Sequence, residues 1–94
     1  VGGAKDFLGL SAEEQAYIEL RLKLAEGLKV QRKRRGLSQT ALAESMKSSQ
    51  SRVAKMEAGD PTVSIDLLLR SLLAIGASPK QLARVIGSLS LSSA

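Results

Sequence analysis

The sequence predicts an all-α domain of five helices, and three observations support this class. Apolar residues recur at the three- and four-residue spacing of amphipathic helices, and no segment shows the strict alternation of a strand. Glycines that can end a helix follow three of the apolar segments, at Gly36, Gly59 and Gly76. A serine that can cap a helix precedes each of the five, at Ser11, Ser38, Ser49, Ser64 and Ser78. With 94 residues, the chain has room for a single core.

The composition excludes most enzyme classes. The chain has no cysteine and no histidine, which removes disulfide frameworks, thiolate nucleophiles, Cys/His zinc sites and histidine-based triads. One Tyr, one Phe and no Trp cannot form an aromatic platform for single-stranded bases. Apolar runs are far shorter than the roughly 18–20 residues that span a membrane. We therefore predict a cytoplasmic protein that is not an enzyme and uses no cofactor or metal.

The first helix is predicted to be the longest. Ser11 and Glu14 have the spacing of a capping box, in which serine and glutamate each satisfy a backbone amide of the other residue. The helix should continue to about Arg35 and end at Gly36. Its predicted inner face consists of Tyr17, Leu20, Leu24 and Leu28, widened by Ile18, Leu22 and Ala25.

Two short helices follow, separated by a tight turn. The first should run from Gln39 to Met46 and the second from Gln50 to about Ala58. The turn between them contains Lys47 and Ser48. A lysine enters the left-handed backbone region only at a cost of about 1 kcal/mol, so this turn is the least regular part of the prediction.

The last two helices are the most apolar part of the chain. Ile65 to Ile75 is apolar on nearly all sides, and Ser78-Pro79-Lys80-Gln81 has the pattern of a helix start. The predicted organisation is an N-terminal segment (1–10), one domain (11–87, with its central motif at 38–58) and a serine-rich tail (88–94). Five residues offer a face for a homodimer, or are absorbed into the core of one molecule: Leu69, Leu73, Leu82, Val85 and Ile86.

Positive charge is concentrated in the middle of the chain. The net charge is +5, but residues 29–55 contain eight basic side chains and one acid, Glu44, while the rest has six basic and eight acidic side chains. A local basic field indicates a polyanionic partner such as nucleic acid.

The helix that begins at Gln50 has the side chains to read a DNA duplex. Ala43 is small enough to let the two short helices cross closely, and Val53 fills the same junction from the second helix. The outward positions of that helix are then Gln50, Ser51, Arg52 and Lys55. An α-helix fits the major groove, where Gln pairs with adenine and Lys with guanine acceptors. Gln39, at the start of the preceding helix, is a candidate phosphate contact.

Three segments carry a more specific pattern: RRGLSQTALA at 34–43, SQSRVAKMEAG at 49–59 and LAIG at 73–76. In this register, residues 28–82 resemble the lambda-repressor/Cro (XRE) family of helix-turn-helix regulators. The resemblance implies a five-helix lambda-repressor-like domain, here with an N-terminally extended first helix. It implies that the helix from Gln50 is the recognition helix. The turn departs from the resemblance, because the family usually has a glycine followed by an apolar residue where this chain has Lys47 and Ser48.

The resemblance also implies a role for individual residues. Base-reading candidates are Gln50, Ser51 and Lys55. Candidates for phosphate contact or support of the readers are Gln39, Ser49, Arg52, Lys47, Arg35 and Lys33. Candidates for the structural motif are Arg32, Ala43, Val53, Glu57 and Gly59.

Glu57 is expected to pair with Arg32. An acid in the last turn of a helix lies at the negative end of the helix dipole and, here, beside a surface that would meet DNA. A cation from the first helix would compensate it, and Arg32 is the matching family position. The alternative is a solvated Glu57 at a frayed helix end.

The sequence leaves several functions open. The leading hypothesis is a homodimeric repressor of a pseudo-palindromic DNA operator. A second version is a HigA-like antitoxin whose Phe7, Leu8 and Leu10 contact a toxin, and a third is a phage-type or housekeeping regulator. A different class is a bridging module that binds proteins without reading bases.

Overall fold

The computed structural model describes residues 11–89, and this part of the chain folds into five α-helices without a strand. The predicted fold class is therefore confirmed. The predictions for residues 1–10, including Phe7, Leu8 and Leu10, and for residues 90–94 lie outside the described residues. The helices are α1 (Ala12–Arg34), α2 (Gln39–Ser45), α3 (Gln50–Glu57), α4 (Ile65–Ala74) and α5 (Pro79–Gly87).

Serine caps fix where the helices begin, as the sequence predicts. Each of the five cap hydroxyls accepts the backbone N–H three residues later, for example Ala41 N to Ser38 Oγ at 3.0 Å. Ser11 and Ser78 form complete capping boxes with Glu14 and Gln81. The helices end within one residue of the predicted positions because their capping residues decide the ends locally.

One core joins the helices. α1 packs along α4 and also contacts α3 and α5, while α2 packs against α3. Leu24 and Leu28 of α1, Val53 and Met56 of α3, and Leu68 of α4 are all completely buried. Ala43 and Val53 are buried as predicted, so that α3 is anchored by one side and has its other side in solvent.

The first turns of α1 differ from the prediction. Tyr17, Ile18 and Leu22 are 42–51% exposed rather than part of an inner face. The physical reason is length, since a 23-residue helix extends about 34 Å. Its completely buried residues, Leu24 and Leu28, lie in its second half, and of the predicted inner face in the first half Leu20 packs against the core. Leu22 nevertheless lies directly against Gly59, the residue that follows α3 and has φ +71°. The contact is so close that a Cβ at Gly59 would collide with Leu22 Cδ2.

The predicted dimer face divides into two parts. Leu69, Leu82 and Val85 are half-buried against the core, whereas Leu73 and Ile86 are 57% and 49% exposed. Two of the five residues therefore still point to solvent. Between residues 11 and 89, no helix combines the length and hydropathy required to cross a membrane.

Candidate nucleic-acid interface

The turn between α2 and α3 is tight, and Lys47 occupies its left-handed position. Lys47 has φ +55° and is the only non-glycine residue with positive φ in the described part of the chain. The turn is closed by Ser48 N, which donates to Ala43 O at 2.8 Å. The strained lysine thus ends α2, and its side chain is exposed beside α3.

The outer side of α3 consists of polar and basic side chains. Gln50, Ser51, Arg52 and Lys55 are all exposed. On the opposite side of this helix Val53 and Met56 are fully buried, which prevents the helix from rotating. The arrangement presents one amide, one hydroxyl and two cations on an eight-residue rod.

An ion pair fixes the end of α3 to α1. Arg32 Nε lies 2.6 Å from Glu57 Oε2, and Arg32 also donates to Glu57 Oε1 at 3.0 Å and to the carbonyl of Leu37 at 2.8 Å. Both side chains are at least nine-tenths buried. The predicted pair is confirmed, and the bidentate geometry is the strong form of this interaction.

The charges of this pair are stabilised by their contacts. The hydrogen bond to Glu57 raises the pKa of Arg32. Burial favours the neutral form of Glu57, but hydrogen bonds from Arg32 and Gln39 and the charges of Arg32 and Lys29 outweigh it, so the pKa of Glu57 is lowered. Both groups are therefore ionised at neutral pH.

A chain of amides connects the ion pair to the exposed start of α3. Gln39 Nε2 donates to Glu57 Oε1 at 3.1 Å, and Gln50 Nε2 donates to Gln39 Oε1 at 2.7 Å. We call this Glu57–Gln39–Gln50 chain the amide relay. It orients the Gln50 carboxamide and leaves its second N–H and its oxygen available, the pair of groups needed to recognise adenine.

A sequence comparison agrees with this geometry. The model of the helix-turn-helix domain family matches residues 23–85, about two thirds of the chain. The chain belongs to this family. No curated protein and no solved structure matches it.

The helix-turn-helix domain has further basic and hydroxyl groups around α3. A polar cleft on one side of α3 is lined by Arg52 and Lys55 together with Thr62 and Ser64. Asp60 holds this loop by accepting from Thr62 N at 2.8 Å and Thr62 Oγ1 at 2.6 Å, and these bonds lower the pKa of Asp60. Ser64 was predicted only as a helix cap and Thr62 was not predicted at all, although hydroxyls just after α3 were a usable signal for the site.

Three other candidates lie around the motif. Ser49 caps α3 by accepting from Arg52 N at 3.1 Å. Lys33 is exposed near the end of α1. The guanidinium of Arg35 lies against Gly76, where an added Cβ would collide with it. The structure thus turns Arg35 toward the end of α4, and its predicted phosphate contact stays a prediction.

The site has no feature of a metal centre. Within residues 11–89, no group of three or more His, Cys, Asp or Glu side chains could hold a metal ion. The chemistry available at α3 is hydrogen bonding and charge.

Proposed function

We propose that this helix-turn-helix protein is a sequence-specific, double-stranded DNA-binding transcriptional regulator of the repressor type. The observation that carries the proposal is the amide relay, which holds Gln50 in one orientation at the exposed start of a helix whose other side is in the core. A helix that contacted only a featureless acidic surface would gain little from an oriented carboxamide.

Each outward side chain then has a role in the proposed complex. Gln50 accepts from adenine N6 and donates to N7, while Lys55 donates to guanine O6 or N7 and Ser51 contacts a neighbouring base edge. Arg52, Lys47 and the start of α2 contact phosphates and set the position of α3 in the groove. The Arg32–Glu57 pair orients and does not read, since its groups are buried.

The proposed active form is a homodimer on a pseudo-palindrome. One recognition helix reads few base pairs, so two copies about one helical turn apart give useful specificity. Exposed Leu73 and Ile86 support a dimer contact at α4 and α5.

Selection of binding sites from random duplexes, repeated at two salt concentrations, tests the proposal. We expect a symmetric consensus whose affinity falls steeply with salt, because each half-site contact releases counterions. Gln50→Ala with Lys55→Ala should remove the discrimination between bases and retain salt-dependent binding. Unchanged binding of the selected site by this double variant would reject base reading and favour the protein-bridging function.

The antitoxin version of this role is a narrower proposal. It is supported by the apolar side chains of Tyr17, Ile18 and Leu22 on the first turns of α1, which are available to a protein partner. Co-expression with the neighbouring reading frame tests it, with Ile18→Glu as the disrupting variant. Failure to retain the neighbouring protein would contradict the antitoxin role and leave DNA binding unaffected.

A further inference from the structure

We propose that a groove between α1, α4 and α5 binds a small amphipathic acid, that is, a carboxylate on an unbranched apolar chain. The groove has a volume of about 280 Å³. Val30, Leu72, Leu82 and Val85 form its apolar walls, and Gly27 lies among them. No residue of α2 or α3 lines it, so the proposal does not depend on the proposed DNA-binding function.

Gly27 is the first reason to regard the groove as a site. It lies in the interior of α1, where glycine is less stable than alanine, and its φ is not positive. A Cβ at this position would lie 3.9 Å from Leu72 Cδ2 and 4.0 Å from Val85 Cγ2, which are ordinary contacts. Neither backbone nor packing requires glycine here, and its effect is to leave the floor of the groove open.

The rim of the groove is the second reason. Two arginines, Arg34 from α1 and Arg84 from α5, line it together with the carboxamides of Gln31 and Gln81, and among residues 11–89 no acidic side chain does. Neither arginine takes part in the ion pairs of residues 11–89, which join Arg32 to Glu57 and Arg70 to Asp66.

Apolar walls and a basic rim together define the ligand. The walls favour a hydrocarbon chain, and the two guanidinium groups favour a carboxylate at its end. The volume of the groove accommodates a single chain of about ten carbons.

Calorimetric titration with sodium decanoate, below its micelle-forming concentration, tests the proposal on the full chain. We expect saturable binding at one site per protein molecule. Decyltrimethylammonium has the same chain with the opposite charge and should bind at least tenfold more weakly. Equal binding of the two compounds, or no saturable binding of decanoate, would overturn the proposal.

Two sets of variants locate the binding site. Gly27→Leu places a side chain in the groove and should abolish binding, whereas Gly87→Leu adds the same side chain where a Cβ meets nothing within 4 Å. Arg34→Gln with Arg84→Gln should weaken binding at least tenfold. Lys23→Gln with Lys80→Gln removes the same charge from the same two helices, outside the groove lining, and should not.

These variants also distinguish decanoate bound in the groove from decanoate bound elsewhere and from a second protein molecule in the groove. Because the arginine variants change only exposed side chains, they test the proposal even if Gly27→Leu fails to fold. Binding that survives both Gly27→Leu and the arginine changes would show that decanoate binds elsewhere. A protein that is dimeric through this groove, with Gly27→Leu giving monomers and decanoate without effect, would also overturn the proposal.

Discussion

Two arginines on the same side of α1 differ in how closely an acid pairs with them. Arg21 and Arg32 are three turns apart and similarly buried, at 8% and 9% exposure. Arg32 pairs with a carboxylate and also donates to a carbonyl. Arg21 donates to the hydroxyl of Tyr17 at 3.0 Å and lies over its ring at 4.9 Å, and within residues 11–89 its Nε has no hydrogen-bond acceptor.

The difference between the two arginines shows when a buried cation stabilises the packing of α1. A buried cation stabilises a contact when it meets a buried anion in good geometry, and otherwise loses hydration without compensation. Arg32 therefore links α1 to α3 through its ion pair with Glu57. Arg21 lies near the middle of α1, where it contacts the half-exposed ring of Tyr17 and its charge helps to lower the pKa of Asp60.

The largest expected effect on stability comes from removing Glu57 from its ion pair with Arg32. Glu57→Ala leaves Arg32 buried without its partner and should lower the free energy of unfolding by about 3–5 kcal/mol. Urea denaturation measures this change. The double variant Arg32→Met, Glu57→Ala removes both charges and should recover much of the loss, and a double variant as unstable as Glu57→Ala would contradict the explanation.

The same pair predicts how stability depends on pH. The pKa of Glu57 is lowered on folding, so its contribution is complete above its ordinary pKa of 4.5 and is lost as the pH falls through the lower folded value. Melting temperatures measured from pH 7 downward should therefore drop in this acid range. Asp60, whose pKa is also lowered, contributes with the same sign, so the Arg32→Met, Glu57→Ala variant isolates the share of Glu57 by its shallower dependence.

The corresponding change at the other arginine should be small. Arg21→Met replaces an incompletely paired cation by an apolar side chain of similar length, and we expect a change within about 1 kcal/mol, of either sign. A loss as large as that of Glu57→Ala, again measured with urea, would mean that Arg21 has a strong partner in solution.

The amide relay also predicts a modest effect on stability. Gln39→Ala removes two neutral or charge-assisted hydrogen bonds near the surface and should lower the free energy of unfolding by about 0.5–1.5 kcal/mol. If the relay orients Gln50, competition binding should show weaker discrimination at one base pair with an unchanged salt dependence. Unchanged discrimination would separate the relay from base reading.

Local signals explain why most of the fold was predictable. Serine caps act on the amide three residues later, and Gly36, Gly59 and Gly76 end helices by adopting positive φ themselves. Such interactions lie within a few residues of sequence. The Arg32–Glu57 pair spans 25 residues and was predictable only through the resemblance to a family.

Other features of the candidate sites could not be predicted. The contact of Gln39 with Gln50 depends on how α2 and α3 are rotated about their axes, which apolar spacing specifies only coarsely. Tyr17, Ile18 and Leu22 continue the helical apolar pattern of Leu24 and Leu28, yet they are 42–51% exposed. The spacing of apolar residues indicates a side that can be buried and does not indicate whether a partner is present.

The sequence by itself determined the helices, their ends, the polar outer side of α3 and the concentration of positive charge. Tertiary structure decided which charges are paired, how Gln50 is oriented, which apolar residues are exposed and where α1, α4 and α5 leave a groove above Gly27. The reason is range, because caps and periodicity act over one or two helical turns, whereas pairing, burial and cavities depend on the relative positions of helices far apart in the chain.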